Sequence, residues 1–331
     1  MKKIAVVILN WNGVALLRQF LPSVIQFSKE ATIYVIDNAS TDDSITVLEK
    51  EFPTVTVITN TGNFGFAKGY NEGLKSITED YLALVNSDIE VTENWLQPII
   101  NLFDKESKTA MIQPKVLDYK NKTHFEYAGA AGGFIDKFGY PYCRGRIFDC
   151  IEKDQGQYDT DIPIFWASGA CLFIRNEVYK TLNGFDEDFF AHQEEIDLCW
   201  RAYNNNYITK YCTKSVVYHV GGATLDNLNP KKTYLNFRNS LFMLTKNLPK
   251  RKLIIILFLR MVLDGFAAIH FLSMGKISHA WSVLKAHLNF YMNFTKNYKK
   301  RNLTNREDYY TISSIIIRFF IKKQQVYSKL F

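Results

Sequence analysis

Four short apolar runs open the chain: KIAVVILNW (3–11), TIYVID (32–37), VTVIT (55–59) and YLALVN (81–86). Each is rich in β-branched or aromatic residues and bounded by Asn, Asp or Gly, the pattern of buried strands. Amphipathic stretches near 14–28, 42–51, 66–77 and 93–104 lie between and after them, and STDDS (40–44) supplies N-cap residues for the second. Strand–helix alternation at this spacing predicts an α/β fold with a Rossmann-like, mostly parallel sheet and helices on both faces.

After about residue 115 the rhythm changes. Residues 115–160 are rich in Gly, Tyr and Asp, which predicts irregular hairpins and loops. IFWASGACLFIR (164–175) reads as one strand, and a helix follows near 192–204. From 236 onward the pattern is helical. RKLIIILFLRMVLDGFAAIHFLSMGK is strongly apolar but broken by Arg260, Asp264 and Gly265, so no membrane-spanning helix is expected there. The chain therefore divides into an α/β domain over 1–230 and a helical, basic extension over 231–331.

Composition narrows the class. With 331 residues, 47% hydrophobic and 15% aromatic, the chain builds a large core and is not disordered. The apolar run after Lys2-Lys3 is too short for a signal peptide and lacks a cleavage site, which places the chain in the cytoplasm. Five cysteines without CxxC spacing argue against both a disulfide framework and a zinc site. The net charge of +7 hides a division: residues 231–331 carry +16 and residues 1–230 carry −9.

Ligands of open parallel sheets sit beyond the carboxyl ends of the strands. Asn10-Trp11-Asn12, Asp37-Asn38, the loop NTGNFGFAKGYNEG (60–73) and Asn86-Ser87-Asp88 all fall at such ends. The first turn has no GxGxxG, which argues against a dinucleotide site. Asp37 can accept from a base or ribose or simply cap; Asn63, Gly65, Lys68 and Asn71 can surround a phosphate or sugar or simply turn the chain. Asn86-Ser87-Asp88 is a degenerate DxD. If His219, in VVYHVGG (216–222), folds back toward Asp88, the two with a diphosphate make a Mn²⁺ or Mg²⁺ site.

FFAHQEEIDLCWR (189–201) holds three carboxylates. On a helical wheel Glu194, Asp197, Leu198 and Arg201 share one face, and Ile196, Cys199, Trp200 and Tyr203 share the opposite, core face. Asp197 and Arg201 are spaced for an i, i+4 ion pair. Glu195 lies on the flank with no basic partner at helical spacing, in the first turn, which suits a general base as well as a solvated terminus.

With VVILNWNG, VIDNASTDDS, GNFGFAKGYNEGL, LVNSDIEV, SGACLFIRNEVYKTLNGFDEDFF, EEIDLCWR and VYHVGG in this order, residues 3–225 resemble the family 2 inverting glycosyltransferases with the GT-A fold. The nearest likeness is the rhamnosyltransferase-like branch of bacterial cell-envelope polysaccharide synthesis. The resemblance implies that Asn10 and Asp37 lie at the nucleotide, with Asp37 on the base. It places the Asn63, Gly65 and Lys68 loop over the phosphates, and Asn86 at the donor. Asp88 and His219 would hold the metal, and Glu195 would serve as base with Glu194 sharing the role. Two departures stand out: Ser87 replaces a proline common in this branch, and the base position commonly holds Asp. The implied reaction is a single in-line displacement from a nucleotide sugar, dTDP-rhamnose foremost and a UDP-hexose as the alternative. Its acceptor would be lipid-linked or a polysaccharide. Glu195 is expected to need no large pKa shift. Trp166, Ser168 and Asp186 are candidates for acceptor contacts, or for core and capping roles. The basic tail, with clusters such as Lys250-Arg251-Lys252 beside apolar runs, fits an anionic membrane surface at the inner face of the plasma membrane better than nucleic acid. Packing or homodimerisation is the other reading of that tail. A nucleotidyltransferase, or a non-catalytic binding protein in which the acids are only structural, are the competing classes.

Overall fold

The computed structural model describes residues 2–221, 229–302 and 305–331. The last part of the VYHVGG motif, from Gly222, and the end of the family-like region to Leu225 lie outside the described residues. Along the chain the elements are β1 Ile4–Asn10, α1 Val14–Phe27, β2 Ala31–Asp37, α2 Ser44–Glu51, β3 Thr56–Thr59, α3 Gly65–Gly73, β4 Tyr81–Asn86, β5 Ile89–Val91, α4 Gln97–Lys105 and β6 Thr109–Asp118. Four short strands follow, β7 Gly133–Ile135, β8 Pro141–Cys143, β9 Arg146–Ile147 and β10 Cys150–Ile151. Then come β11 Ile162–Ile164, β12 Cys171–Arg175, α5 Asn176–Thr181, α6 Glu194–Asn204, β13 Ile208–His219, α7 Pro230–Asn247, α8 Lys250–Ser273 and α9 Ile277–Lys299.

Nine strands form the main sheet in the order β11-β13-β6-β12-β4-β1-β2-β3, with β5 pairing on β13. β4, β1, β2 and β3 are mutually parallel, and β6 and β13 are parallel to each other. β12 runs antiparallel between β4 and β6, and the short β5 and β11 run antiparallel to β13, so six of the nine strands are parallel, as the mostly parallel expectation requires. β1 and β4 are apolar up to their terminal Asn10 and Asn86 because helices cover both sheet faces and leave no wet side. The four short strands form a second sheet, the hairpin region expected over 115–160.

The single strand expected over 164–175 is two, β11 and β12, joined by a loop through Trp166 and Gly169. Trp166 causes the break. Its ring lies against Gly133, and its indole N–H donates to the Phe134 carbonyl at 2.9 Å, so the chain leaves the main sheet to pin the small one.

The C-terminal helices share the core of the sheet. Leu241, Leu244, Leu248, Leu257 and Phe290 belong to the same buried cluster as Phe189, Trp200 and Leu84. Helix α8 is long and apolar enough to cross a membrane by length and composition, which the sequence reading did not expect. The two charges within its apolar stretch, Arg260 and Asp264, face the protein. Arg260 pairs with Asp264 at 3.1 Å, stacks 3.6 Å from the Tyr140 ring centroid and donates to Ser240 and Phe138. Asp264 also meets His287 of α9 at 3.2 Å. α8 therefore lies along the body with one side inward, and the chain beyond α9 returns to the small sheet through Ile315 N–H to Asp136 and Tyr142 to Thr311.

A Cβ at Gly133 would stand 2.1 Å from the Trp166 ring. Gly133→Ala is expected to destabilise the fold by about 1–3 kcal/mol through overpacking, read as a lower urea midpoint with an unchanged slope.

Candidate active site

The carboxyl ends of the parallel strands gather the predicted polar residues. Register places Asn10 beside Asp37, and the Asn10 amide donates to Asp37 Oδ1 at 3.0 Å. Asp37 Oδ2 accepts from Ser40 N–H at 2.8 Å, and the carboxylate has no exposed surface. A base reaching Asp37 must therefore displace one of these donors. The Asn10 side-chain oxygen Oδ1 is buried without a partner among the described residues and is available to a donor.

The loop after β3 folds on Asn38. The Asn38 amide donates to Asn63 Oδ1 and the Gly65 carbonyl, and Gly65 N–H returns to Asn63 Oδ1 at 3.0 Å. Gly65 has φ +74°, and a Cβ there would meet Phe190 at 2.7 Å, so only glycine permits this approach. Lys68 lies over the Phe64 ring with no carboxylate partner among the described residues. Asn71 is spent elsewhere: it binds the Phe185 backbone from both ends of its amide.

His219 does fold back to Asp88. The last pair of the β5–β13 ladder is His219 with Ile89, which leaves His219 Nε2 3.2 Å from Asp88 Oδ1. Glu126 Oε2 lies 3.2 Å from Nδ1 on the other side. Burial alone would lower the imidazole pKa, but the two carboxylates outweigh it and push it up to about 10. Among the described residues no group of three or more His, Cys, Asp or Glu is arranged to hold a metal by itself. Asp88 and His219 fit a divalent ion as two ligands only, with phosphate and water oxygens supplying the rest. The buried Nδ1 has no well-aligned hydrogen bond, and a carboxylate beside it is the partner that orients a metal-ligating histidine. Coordination through Nε2 requires its proton to leave.

At the start of α6 the backbone is unusual. Phe190, His192 and Gln193 have φ of 63°, 71° and 69°, left-handed values that non-glycine residues adopt at a cost. This tight path buries Glu194 and leaves Glu195 half-buried against Gly169 and Phe66. Gly169 precedes Ala170, whose carbonyl accepts from Asn86 N–H at 2.9 Å, so Glu195 and the Asn86-Ser87-Asp88 turn flank the same stretch. Among the described residues no side chain is bonded to the Glu195 carboxyl. Burial raises its pKa to about 7 against the lowering effect of nearby backbone N–H groups. Glu194 is pushed further up, by burial, then by the charges of Glu195 and Asp197, and one of its oxygens has no partner. The expectation of an unshifted Glu195 is thus overturned by its packing. Burial therefore raises both neighbouring carboxyls above the ordinary range, Glu194 the more strongly.

The face of α6 expected to be polar is also buried. Asp197 has no exposed surface and binds Arg201 at 2.8 Å, Lys246 at 2.7 Å and the Asn247 amide at 2.8 Å. The reason is α7, which covers that face. Asn239 of α7 donates its amide to the carbonyls of Phe189, Ala191 and His192 at 3.0, 2.8 and 2.7 Å. Arg238 reaches Asp188 and Phe189 carbonyls, and Phe190 accepts from the N–H groups of Phe66 and Ala67 in α3. The loop before Glu195 is thus clamped from α7 on one side and from α3 on the other.

Of the acceptor candidates, Trp166 is the buried strut described above. Ser168 is buried with its N–H on Gln113 and its hydroxyl accepting from Ala170. Asp186 is paired to Lys246 and Lys300, both at 2.6 Å. Burial opposes its ionisation, but these two lysines hold its pKa well below the ordinary range. Sequence reasoning missed Glu126, Arg238, Asn239 and Lys246. None carries a local signal; only the pairing of distant segments reveals them.

The family model for Glycosyl transferase family 2 matches residues 5–182, more than half of the chain. The chain belongs to this family and is a glycosyltransferase. It is 20% identical over 222 residues to an N-acetylglucosaminyl-diphospho-decaprenol L-rhamnosyltransferase of Mycobacterium tuberculosis, over 61% of this chain and 71% of that protein. Among solved structures it resembles GalNAc-T7 with UDP, GalNAc and Mn²⁺, at TM-score 0.61 and 15% identity over 92% of this chain and 59% of that one. It also resembles the mannosyltransferase PcManGT of Pyrobaculum calidifontis in complex with GDP-Man and Mn²⁺, at TM-score 0.52 and 13% identity over 90% and 84% of the two chains. These likenesses establish the GT-A fold.

Asn239→Ala removes all three amide contacts to the loop before Glu195. Small displacements of a reacting group cost up to about 100-fold in rate, so kcat is expected to fall about 10–100-fold with nucleotide affinity within about twofold. Initial rates beside a nucleotide titration check this.

Proposed function

We propose that the chain transfers a sugar, with inversion, from a nucleotide sugar to a lipid-linked or polysaccharide acceptor in bacterial envelope glycan synthesis. Rhamnose from dTDP-rhamnose is the best assignment, supported by the likeness to the mycobacterial L-rhamnosyltransferase. The observation that carries the proposal is Glu195: a carboxyl with no side-chain partner among the described residues, raised to about 7, beside the strand end that leads to Asp88.

In this reading Glu195 takes the proton of an acceptor hydroxyl while the hydroxyl oxygen bonds to the anomeric carbon. The bond from that carbon to the nucleoside diphosphate breaks on the opposite side, so the configuration inverts. A divalent cation, Mn²⁺ or Mg²⁺, would be held by Asp88 and His219, and when bound it supplies positive charge at the leaving diphosphate. Asn10, Asp37, Asn63, Gly65, Lys68 and Asn86 line the donor side. Protonated Glu194 keeps a second negative charge away from the base. Residues 1–230 form the transferase unit in this reading, and residues 231–331 form an extension that rests on an anionic membrane. The enzyme then works peripherally at the cytoplasmic face of the plasma membrane.

One of UDP, dTDP, GDP and CDP is expected to raise the melting temperature in Mn²⁺ but not in EDTA, dTDP foremost. Silence from all four, with or without metal, contradicts the donor site. Glu195→Gln is expected to abolish transfer by about 100-fold or more while keeping that nucleotide response; undiminished transfer removes Glu195 as base.

A further inference from the structure

Helices α7 and α9 leave a groove of about 480 Å³ between them, lined by Lys231, Tyr234, Lys285, Leu288, Asn289 and Met292, among others. Its size is in the range of about 300–1,000 Å³ typical of small-ligand sites. No carboxylate lines it. Among the described residues neither Lys231 nor Lys285 is paired to an acid, and the Asn289 carbonyl oxygen is occupied by Asn293, which leaves its amide N–H groups to donate. The groove is therefore a set of donors and cations, suited to an anionic group.

Its floor continues into an apolar stripe. Along α9, Ile277, Trp281, Leu284, Leu288 and Met292 follow helical spacing on one exposed face, with Ile277 70% and Met292 76% accessible. On α8, Phe258, Phe266 and Ile269 are also more than half exposed. The inward side of both helices is filled by the protein, so this outer face is a surface of its own. At the other end the groove meets the catalytic loop: Lys231 Nζ lies 4.9 Å from the Phe190 ring centroid, and Phe190 is clamped to α3 beside Phe66 and Glu195.

An anionic seat between an apolar track and the base matches an amphiphile with a phosphorylated head and a long hydrocarbon tail. We infer that the α7–α9 groove is the subsite for the lipid diphosphate of the acceptor, with Lys231 and Lys285 on the phosphates and Leu288 and Met292 on the first part of the chain. The inference rests on the transferase reading with a lipid-linked acceptor. It assigns the cations of the C-terminal extension a specific task next to the chemistry, distinct from general attraction to a membrane.

The test uses the full chain and farnesyl diphosphate, a soluble probe that needs no vesicle, in equilibrium dialysis. Farnesyl diphosphate is expected to bind more tightly than farnesol or inorganic diphosphate. The double variant Lys231→Glu/Lys285→Glu is expected to weaken it by tenfold or more, and Leu288→Asp by a smaller factor. All three substituted side chains are exposed, and the nucleotide-induced melting shift reports that each variant is folded with its donor site intact. Binding of farnesyl diphosphate that is unchanged in the double variant overturns the inference, as does equal binding of inorganic diphosphate. Loss of the nucleotide response in the unsubstituted protein would instead strike the transferase reading, so the two failures are separable.

Discussion

The side-chain amide of Asn239 bonds three backbone carbonyls of the loop that leads into α6. The loop from Phe189 to Gln193 holds three non-glycine residues in left-handed conformations, each costing on the order of 1 kcal/mol or more. A single buried amide from α7 gathers the carbonyls of Phe189, Ala191 and His192, and beneath it Lys246 and Asn247 hold Asp197. Buried acids without such partners are strongly destabilising. The clamp therefore makes an otherwise unfavourable path the native one, and that path delivers Glu195 to the end of the sheet.

This arrangement explains why the C-terminal helices are not an accessory. They complete the core under α6, and they carry the cations that neutralise Asp186, Asp188 and Asp197. They also turn an apolar face outward. One piece of chain thus couples the conformation of Glu195, the proposed base, to the surface on which the acceptor is proposed to arrive. The donor side is coupled in the same way, because Phe190 bonds to the start of α3 and packs on Gly65.

Much of this was legible in the sequence, for physical reasons. Strands β1 to β4 announce themselves because a parallel sheet covered on both faces needs unbroken apolar runs, and their ends bracket the polar residues by topology alone. His219 meeting Asp88 follows from β13 returning beside β5. Asp197 shows the limit. Helical periodicity marks it as surface, and it is buried because Lys246, 49 positions later, lies against it. Asn239 and Glu126 have no local signature, since their partners come from other segments. The Trp166 break escaped notice because apolar residues continue on both sides of Ser168-Gly169, while the Trp166 ring lies against Gly133 of the second sheet. The pKa of Glu195 is equally invisible locally: it comes from the packing of Phe66 and Gly169, not from neighbouring charges in sequence.

The central claim is that burial, maintained by the clamp, tunes Glu195 as a base near neutrality. The pH dependence of kcat under saturating substrates reads this directly. Because the base must be ionised and its pKa is raised to about 7, kcat is expected to rise with pH, about tenfold per unit below that point, and to level off above it. A profile that stays flat down to about pH 5, the behaviour of an ordinary carboxylate, would contradict the account.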